Sequence, residues 1–392
     1  MTKNLIILFA LCINQILTAQ IDVLDTINSK ILNEDRFLNV HLPRSYNDSL
    51  NKNYPLIITL DGETIYYFTV ANTELYYDPD PDFQVIPETI VVGIKQNYND
   101  KESNNLIRGR DSAYDIDTGF LKKSSKDFKN FIYQELIPYV KNKYRTNDFI
   151  AIIGHSLTAT FVSNLLLEKS NQSIKAFICI SPNLPEKLSK SILESNYVIP
   201  KIFYHSTGTY DLKDHLNSNQ KFNKENKNKN LIYKYDFFKN ENHLSLINRS
   251  LPNAIRHIFS LFKISSEESI KNFLYSTNKL HYIKEFIDNS KKIYGEDSKI
   301  TSSDFDELYY YIENNLPKSE YWKIYKEIAD IQIQLIPTTE AFYALGKYEE
   351  SHTKNYQKAL DYYQKGYQLL EDGVTNKKDF YDDILRVQKK IK

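Results

Sequence analysis

Cysteine, net charge and long apolar runs are all scarce in this 392-residue chain. Two cysteines exclude a disulfide framework and cannot supply a cysteine-rich metal site. Lys+Arg and Asp+Glu both number 50, so the formal net charge is zero. A protein that binds phosphate backbones carries a basic excess, so no nucleic-acid partner is expected. Beyond the N-terminus no apolar run reaches the length needed to cross a bilayer, so no membrane span is expected. What remains reads as globular: 41% of residues are hydrophobic, 14% aromatic and 26% charged. At about 150 residues per domain the length suggests two to three domains.

Residues 1–19, MTKNLIILFALCINQILTA, have a basic Lys3, an apolar run from Leu5 to Ile13 and a small Ala19 before Gln20. This is the pattern of a secretory signal peptide. It predicts an exported protein, periplasmic or secreted. Cleavage near Gln20 removes Cys12 and leaves Cys179, in AFICIS, as the one thiol. That setting reads as a buried, inert cysteine.

From about 21 to 262, apolar runs of strand length alternate with helix-like segments. The run 36–46 alternates like an antiparallel edge strand. Runs at 55–63, 89–96, 149–156, 175–182, 201–208 and 231–238 are rich in Ile, Val, Phe and Tyr. Several are apolar on both faces, as buried parallel strands are. The helical stripe of Phe128, Phe131, Ile132, Leu136, Tyr139 and Val140 contains Pro138, which should kink it. The expected fold is α/β, a mostly parallel sheet with helices on both faces, over 20–262. KFNKENKNKN (221–230) reads as a solvated turn within it. Over 263–392 only helix-like stripes follow, so an all-helical C-terminal domain is expected. Phe342, Leu345, Gly346, Ala359, Tyr363 and Gly366 approach one tetratricopeptide-like unit.

The stretch AIIGHSLTATFVSNLLL (151–167) carries the chemistry. An apolar strand runs into Gly154-His155-Ser156, and an apolar helix follows. A sharp turn there projects the Ser156 hydroxyl above the sheet, as a nucleophile elbow does. The amide of Leu157, at the start of the helix, can donate to an oxyanion. A serine needs a base to take its proton. His243, in NENHLSL, follows the last expected strand and precedes an apolar helix. The acid should stand between serine and histidine in chain order. Asp211, closing KIFYHSTGTYD, is the first choice and Asp214 the second; His205 and His215 are less well placed as bases. A second oxyanion amide is expected in the loop LDGET (60–64), at Gly62 or Glu63, with Gly62 allowing an unusual backbone angle. Arg108 and Arg110, in RGRD, are candidates to bind an anionic or metal-complexed substrate. Pairing of Arg110 with Asp111 or another carboxylate is the competing expectation.

These residues resemble the esterase D-like branch of the α/β-hydrolases, which includes siderophore (enterobactin-type) esterases. The matching pieces are HLPRSYN (41–47), YPLIITLDGE (54–63), IPETIVVGI (86–94), RGRD (108–111), ELIPYVKNKYRTN (135–147), IGHSL (153–157), ISPNL (180–184), STGTYD (206–211) and ENHLS (241–245). The resemblance covers about 36–262. It implies a serine carboxylic-ester hydrolase with Ser156 as nucleophile, His243 as base and Asp211 as acid. It also implies an oxyanion loop at Gly62–Glu63, Arg108 and Arg110 near a small-molecule ester substrate, and no metal or organic cofactor. Two departures bear on rate and pocket. Thr158-Ala159 stand where the family usually has Gly-Gly, and Leu244 follows His243 where glycine is frequent. A β-branched Thr158 should require a shift between helix and strand. Two other readings stay open: a feruloyl or acetyl carbohydrate esterase, and an inert hydrolase fold whose C-terminal helices bind a protein partner.

Overall fold

The computed structural model describes residues 21–80, 84–98, 106–169, 172–264, 267–295, 300–370 and 377–391. The expected signal peptide at 1–19 lies outside them. The chain divides into two units. One holds the described residues up to Phe259 together with Lys292–Gly295; the other holds those of 260–291 and 296–392.

The apolar runs of the first unit become strands: β1 (Ile21–Ser29), β2 (Glu34–Leu42), β3 (Tyr54–Thr59), β4 (Ile90–Ile94), β5 (Thr146–His155), β6 (Ile174–Ile180), β7 (Lys201–Tyr210) and β8 (Leu231–Asn242). They form one sheet in the order β1-β2-β4-β3-β5-β6-β7-β8. β1 and β2 pair antiparallel, with Ile21 opposite Leu42, and β2 pairs antiparallel with β4. Every other neighbour is parallel. The sequence assigns no strand before 36, and β1 is an addition at the edge. All residues of β3 and β4 are buried, as continuous apolar runs covered on both faces must be.

The helices of this unit are α1 (Ile65–Tyr76), α2 (Ile107–Asp111), α3 (Lys123–Phe131), α4 (Ile137–Lys143), α5 (Leu157–Leu165), α6 (Glu186–Leu193), α7 (Lys213–Glu225) and α8 (Leu246–Ile258). Pro138 does not break the stripe it interrupts. A π-type turn at Ile132–Leu136 joins α3 to α4 and places the proline in the first turn of α4, where its missing N–H matters least. Phe128, Phe131, Leu136 and Val140 of this segment are fully buried in the core.

The second unit is helical in its described residues: α9 (Glu267–Tyr275), α10 (Lys279–Tyr294, whose last turn belongs to the first unit), α11 (Ser302–Asn315), α12 (Lys318–Leu335), α13 (Thr339–Tyr348), α14 (Tyr356–Gln368) and α15 (Lys377–Ile391). Phe305, Leu308, Ile312, Ile328 and Ala329 are fully buried at its centre. A capping box starts α11, with Thr301 and Asp304 satisfying each other's backbone amides. The repeat-like residues lie on α13 and α14, where Leu345, Ala359 and Tyr363 are buried. No helix among the described residues is long and apolar enough to cross a membrane.

Candidate active site

The carboxyl ends of the parallel strands all point to one edge of the sheet, and every loop of interest leaves from that edge. Asp61–Glu63 follows β3, Ser156 follows β5, Ser181 follows β6, Asp211 follows β7 and His243 follows β8.

Ser156 has φ 60° and ψ −117° between β5 and α5. Few residues with a Cβ adopt a positive φ, and this one marks the strained turn that lifts a side chain off the sheet. Gly154 makes the turn possible: a Cβ there would come 2.6 Å from the Thr158 carbonyl. The Ser156 amide bonds the Ile180 carbonyl at 2.8 Å, which ties the turn to β6.

Thr158 is built into the turn. Its side chain is fully buried, and its hydroxyl accepts the His155 amide at 2.8 Å. It also lies 2.8 Å from Asp61 Oδ2 and 2.9 Å from the His155 carbonyl, to which it can donate. Asp61, buried and at φ 53°, is in turn gripped by Arg108 through Nε and Nη2. Arg108 Nη2 also donates to the His155 carbonyl at 3.0 Å. Loop 61–63 and the elbow are therefore pinned to each other by Thr158 and Arg108.

Asp211 and His243 meet as expected, with Oδ1 and Nδ1 2.7 Å apart. The Asp211 side chain is fully buried, and its Oδ1 also accepts the Leu212 amide at 2.8 Å and the Ser181 hydroxyl at 2.9 Å. Burial alone would raise its pKa. The bonds from His243, Ser181 and Leu212 outweigh it and hold the carboxyl below its ordinary value. An ionised Asp211 thus fixes Nδ1 of His243 as a donor. His155 lies alongside: its ring is 4.6 Å from that of His243, and its Nε2 is 2.8 Å from the His243 carbonyl. Burial, reinforced by the neighbouring His243, pushes the His155 pKa down to about 4, so it is neutral at pH 7.

Ser181 and Asp61, which the sequence does not single out, also lie at this edge, Asp61 against Thr158 and Ser181 against Asp211 and His243. Ser181 is buried at φ 52°, with its hydroxyl 3.1 Å from His243 Nδ1 and 3.0 Å from His215 Nδ1. His215 sits beside the pair, not in it, with Nδ1 2.7 Å from the Ser181 carbonyl. Asp211, His215 and His243 each offer a ligand atom within 4.8 Å of one another, a spacing a metal ion could use. The Asp211–His243 and His215–Ser181 bonds already employ this set within the protein. Asp214 is exposed and His205 is buried between Asn219 and Tyr233, away from this arrangement.

Two expectations are corrected. The Gly62 amide donates to the Ile94 carbonyl at 2.9 Å, so it cannot face an oxyanion. Gly62 also has no positive φ; a Cβ there would lie 2.7 Å from the backbone of Gly93 and Ile94, so its glycine serves close approach. The carboxylate of Glu63 caps the Gln96 and Asn97 amides and so fixes the loop. Arg108 and Arg110 do not present open cations. Arg108 holds Asp61, and Arg110 pairs with Glu34 and with Asp111, which also pairs with the fully buried Arg36.

The sheet, the strained serine at a strand–helix turn and the Asp211–His243 pair at the same edge define a protein of the α/β-hydrolase class. The chain belongs to the esterase family: the family model described as "Putative esterase" matches residues 29–246. It is accordingly a carboxylic-ester hydrolase. No curated protein matches it in sequence. Among solved structures it is similar to an uncharacterised protein from Capnocytophaga ochracea, over 94% of this chain and 100% of the other, with TM-score 0.67 and 20% identity. It is also similar to an IroE-like serine hydrolase from Shewanella oneidensis, over 80% of this chain and 99% of the other, with TM-score 0.57 and 18% identity. At such identities the likeness speaks for the fold, and the first takes in the helical unit as well as the sheet.

Proposed function

We propose that the protein is an exported serine esterase in which Ser156 is the nucleophile, His243 the base and Asp211 the acid. The observation that carries the reading is the strained Ser156 turn on the same sheet edge as the 2.7 Å Asp211–His243 pair. Ser156 attacks the ester carbonyl while His243 Nε2 takes its proton. Asp211 holds the imidazole and stabilises the imidazolium. The Leu157 and Glu63 amides receive the oxyanion, the alcohol leaves with the proton from His243, and water activated by His243 releases the acid. The signal pattern at 1–19 supports export.

The resemblance of the sequence to siderophore esterases makes a catecholate trilactone the first ester to try. An aromatic ester also suits the exposed side chains on the loops of this edge: Leu106, Ile116, Phe120, Tyr210, Leu212 and Leu244. A feruloyl ester, the alternative, shares that aromatic character and belongs in the same screen. The deciding experiment is labelling of the mature chain, from about Gln20, with a fluorophosphonate that reacts only with an activated serine. Labelling that disappears in Ser156→Ala is expected. Absence of labelling in folded protein would overturn the catalytic reading in favour of an inert, partner-binding fold.

A further inference from the structure

The helical unit contains a cavity of about 380 Å³ lined by α11, α12, α13, α15 and Leu370. That volume is at the small end of ligand sites, which are concave and mostly apolar with a few polar groups. Its walls are aromatic: Tyr309, Tyr321, Tyr325 and Tyr343, with Phe380 beside them. Tyr325 is buried, and Tyr309 is fixed by a 3.0 Å bond from its hydroxyl to Gln332. The rim is acidic. Asp306, Glu313 and Glu340 line it against a single ammonium, that of Lys347. Among the described residues Glu313 and Glu340 have no ion pair, and both are exposed.

Aromatic faces attract cations through their quadrupole, and carboxylates at the mouth add a Coulombic pull. The cavity already shows this preference: Lys347 Nζ lies 5.8 Å from the centre of the Tyr325 ring. We infer that this cleft binds a small organic cation, an alkylammonium, with its head group against the tyrosine faces and its charge facing Glu313 and Glu340. The site is separate from the esterase chemistry and does not rest on it.

The chain carries its own reporter. Trp322 is the sole tryptophan, with its ring 5.0 Å from Tyr321 and 5.3 Å from Tyr325. The test is a titration of the mature chain with choline, followed by Trp322 fluorescence and by calorimetry at low salt. Its uncharged isostere, 3,3-dimethylbutan-1-ol, is the control of equal shape. Choline is expected to saturate the signal and bind at least tenfold more tightly than the isostere. Glu313→Gln with Glu340→Gln should weaken choline fivefold or more without changing the melting temperature. Lys347→Met removes the internal competitor and should tighten binding severalfold, a gain that a damaged fold cannot produce. Equal binding of choline and its isostere, or no binding to folded protein in either readout, would overturn the inference. Ser156→Ala should bind choline unchanged.

Discussion

Replacing Thr158 by Val keeps its volume and deletes its hydroxyl. The His155 amide, which is buried, then loses its partner, while Asp61 Oδ2 loses one of two bonds and keeps that from Arg108 Nη2. A buried donor or acceptor left unsatisfied costs about 1–3 kcal/mol. Some of that is recovered because the new methyl is apolar, so the net loss should be roughly 1–2 kcal/mol. In a unit of this size each kcal/mol moves the melting temperature by about 2–4 °C, which puts the shift at about 5 °C. Calorimetry of the mature chain measures it. The rate should suffer as well, because Asp61 begins the loop whose Glu63 amide is proposed to receive the oxyanion. Loss of a whole oxyanion donor costs about 100- to 1,000-fold in kcat. A loosened loop should cost less, about tenfold, with KM little changed. Thr158→Ser keeps the hydroxyl and should recover most of both losses. A valine variant that melts within 1 °C of wild type and turns over p-nitrophenyl acetate at the same rate would refute the reasoning.

Asp211→Asn should leave the fold intact and lower kcat by about 10⁴, as expected when the acid of such a triad no longer fixes the tautomer of the base. Ser181→Ala, which removes a bond to Asp211 and a neighbour of His243, should lower it about tenfold; equal losses in the two variants would contradict the assigned roles. Burial holds His155 and His257 at a pKa of about 4 and His205 at about 3, against an ordinary 6.5. The unfolded chain therefore takes up protons near pH 6.5 while the folded one does not. Stability is full above that pH and falls toward pH 4, by at most about 2 kcal/mol per histidine at pH 5. Denaturant midpoints at pH 7 and pH 5 check the sign, and a flat profile would be inconsistent with it. In the helical unit, bonds from Arg386, Lys390 and Tyr363 overcome burial and hold the Glu350 pKa at about 2. That stabilisation is present above pH 4.5 and is lost as the pH falls through about 2. Glu350→Gln should lower stability at pH 7 by about 1 kcal/mol once solvent screening is allowed for; a melting temperature unchanged at low salt would tell against the network.

The central strands are legible because a buried parallel strand must be apolar on both faces, and 55–63, 149–156 and 175–182 state this in composition alone. Ser156, Asp211 and His243 are legible as an order along the chain, each just past a strand, and the sheet turns that order into one edge. β1 is not, since Ile21–Ser29 (IDVLDTINS) mixes apolar and polar residues without a clean alternation. The π-type turn ahead of Pro138 is hidden as well: a helix can widen by one residue ahead of a proline, and composition does not reveal where.

What hides best is backbone conformation. A glycine announces the freedom to adopt a positive φ, so the sequence directs attention to Gly62. The structure gives the positive φ to Asp61 and Ser181, whose side chains then aim inward at Thr158 and at the Asp211–His243 pair. Nothing in the types Asp and Ser predicts this, because the strain is offset by partners 97 and 30 residues away in sequence. The same blindness explains the arginines. A pair of cations beside a catalytic edge suggests an anionic substrate only while their counterions are unknown. With Arg108 committed to Asp61 and Arg110 to Glu34, their charge is spent on holding the 61–63 loop and the start of β2. Thr158 belongs to this arrangement. A glycine at 158 would give the helix closer approach to the strand, but it could not bond Asp61. The departure from the family pattern therefore reads as an exchange of one means of fixing the elbow for another, and not as a loss of the site.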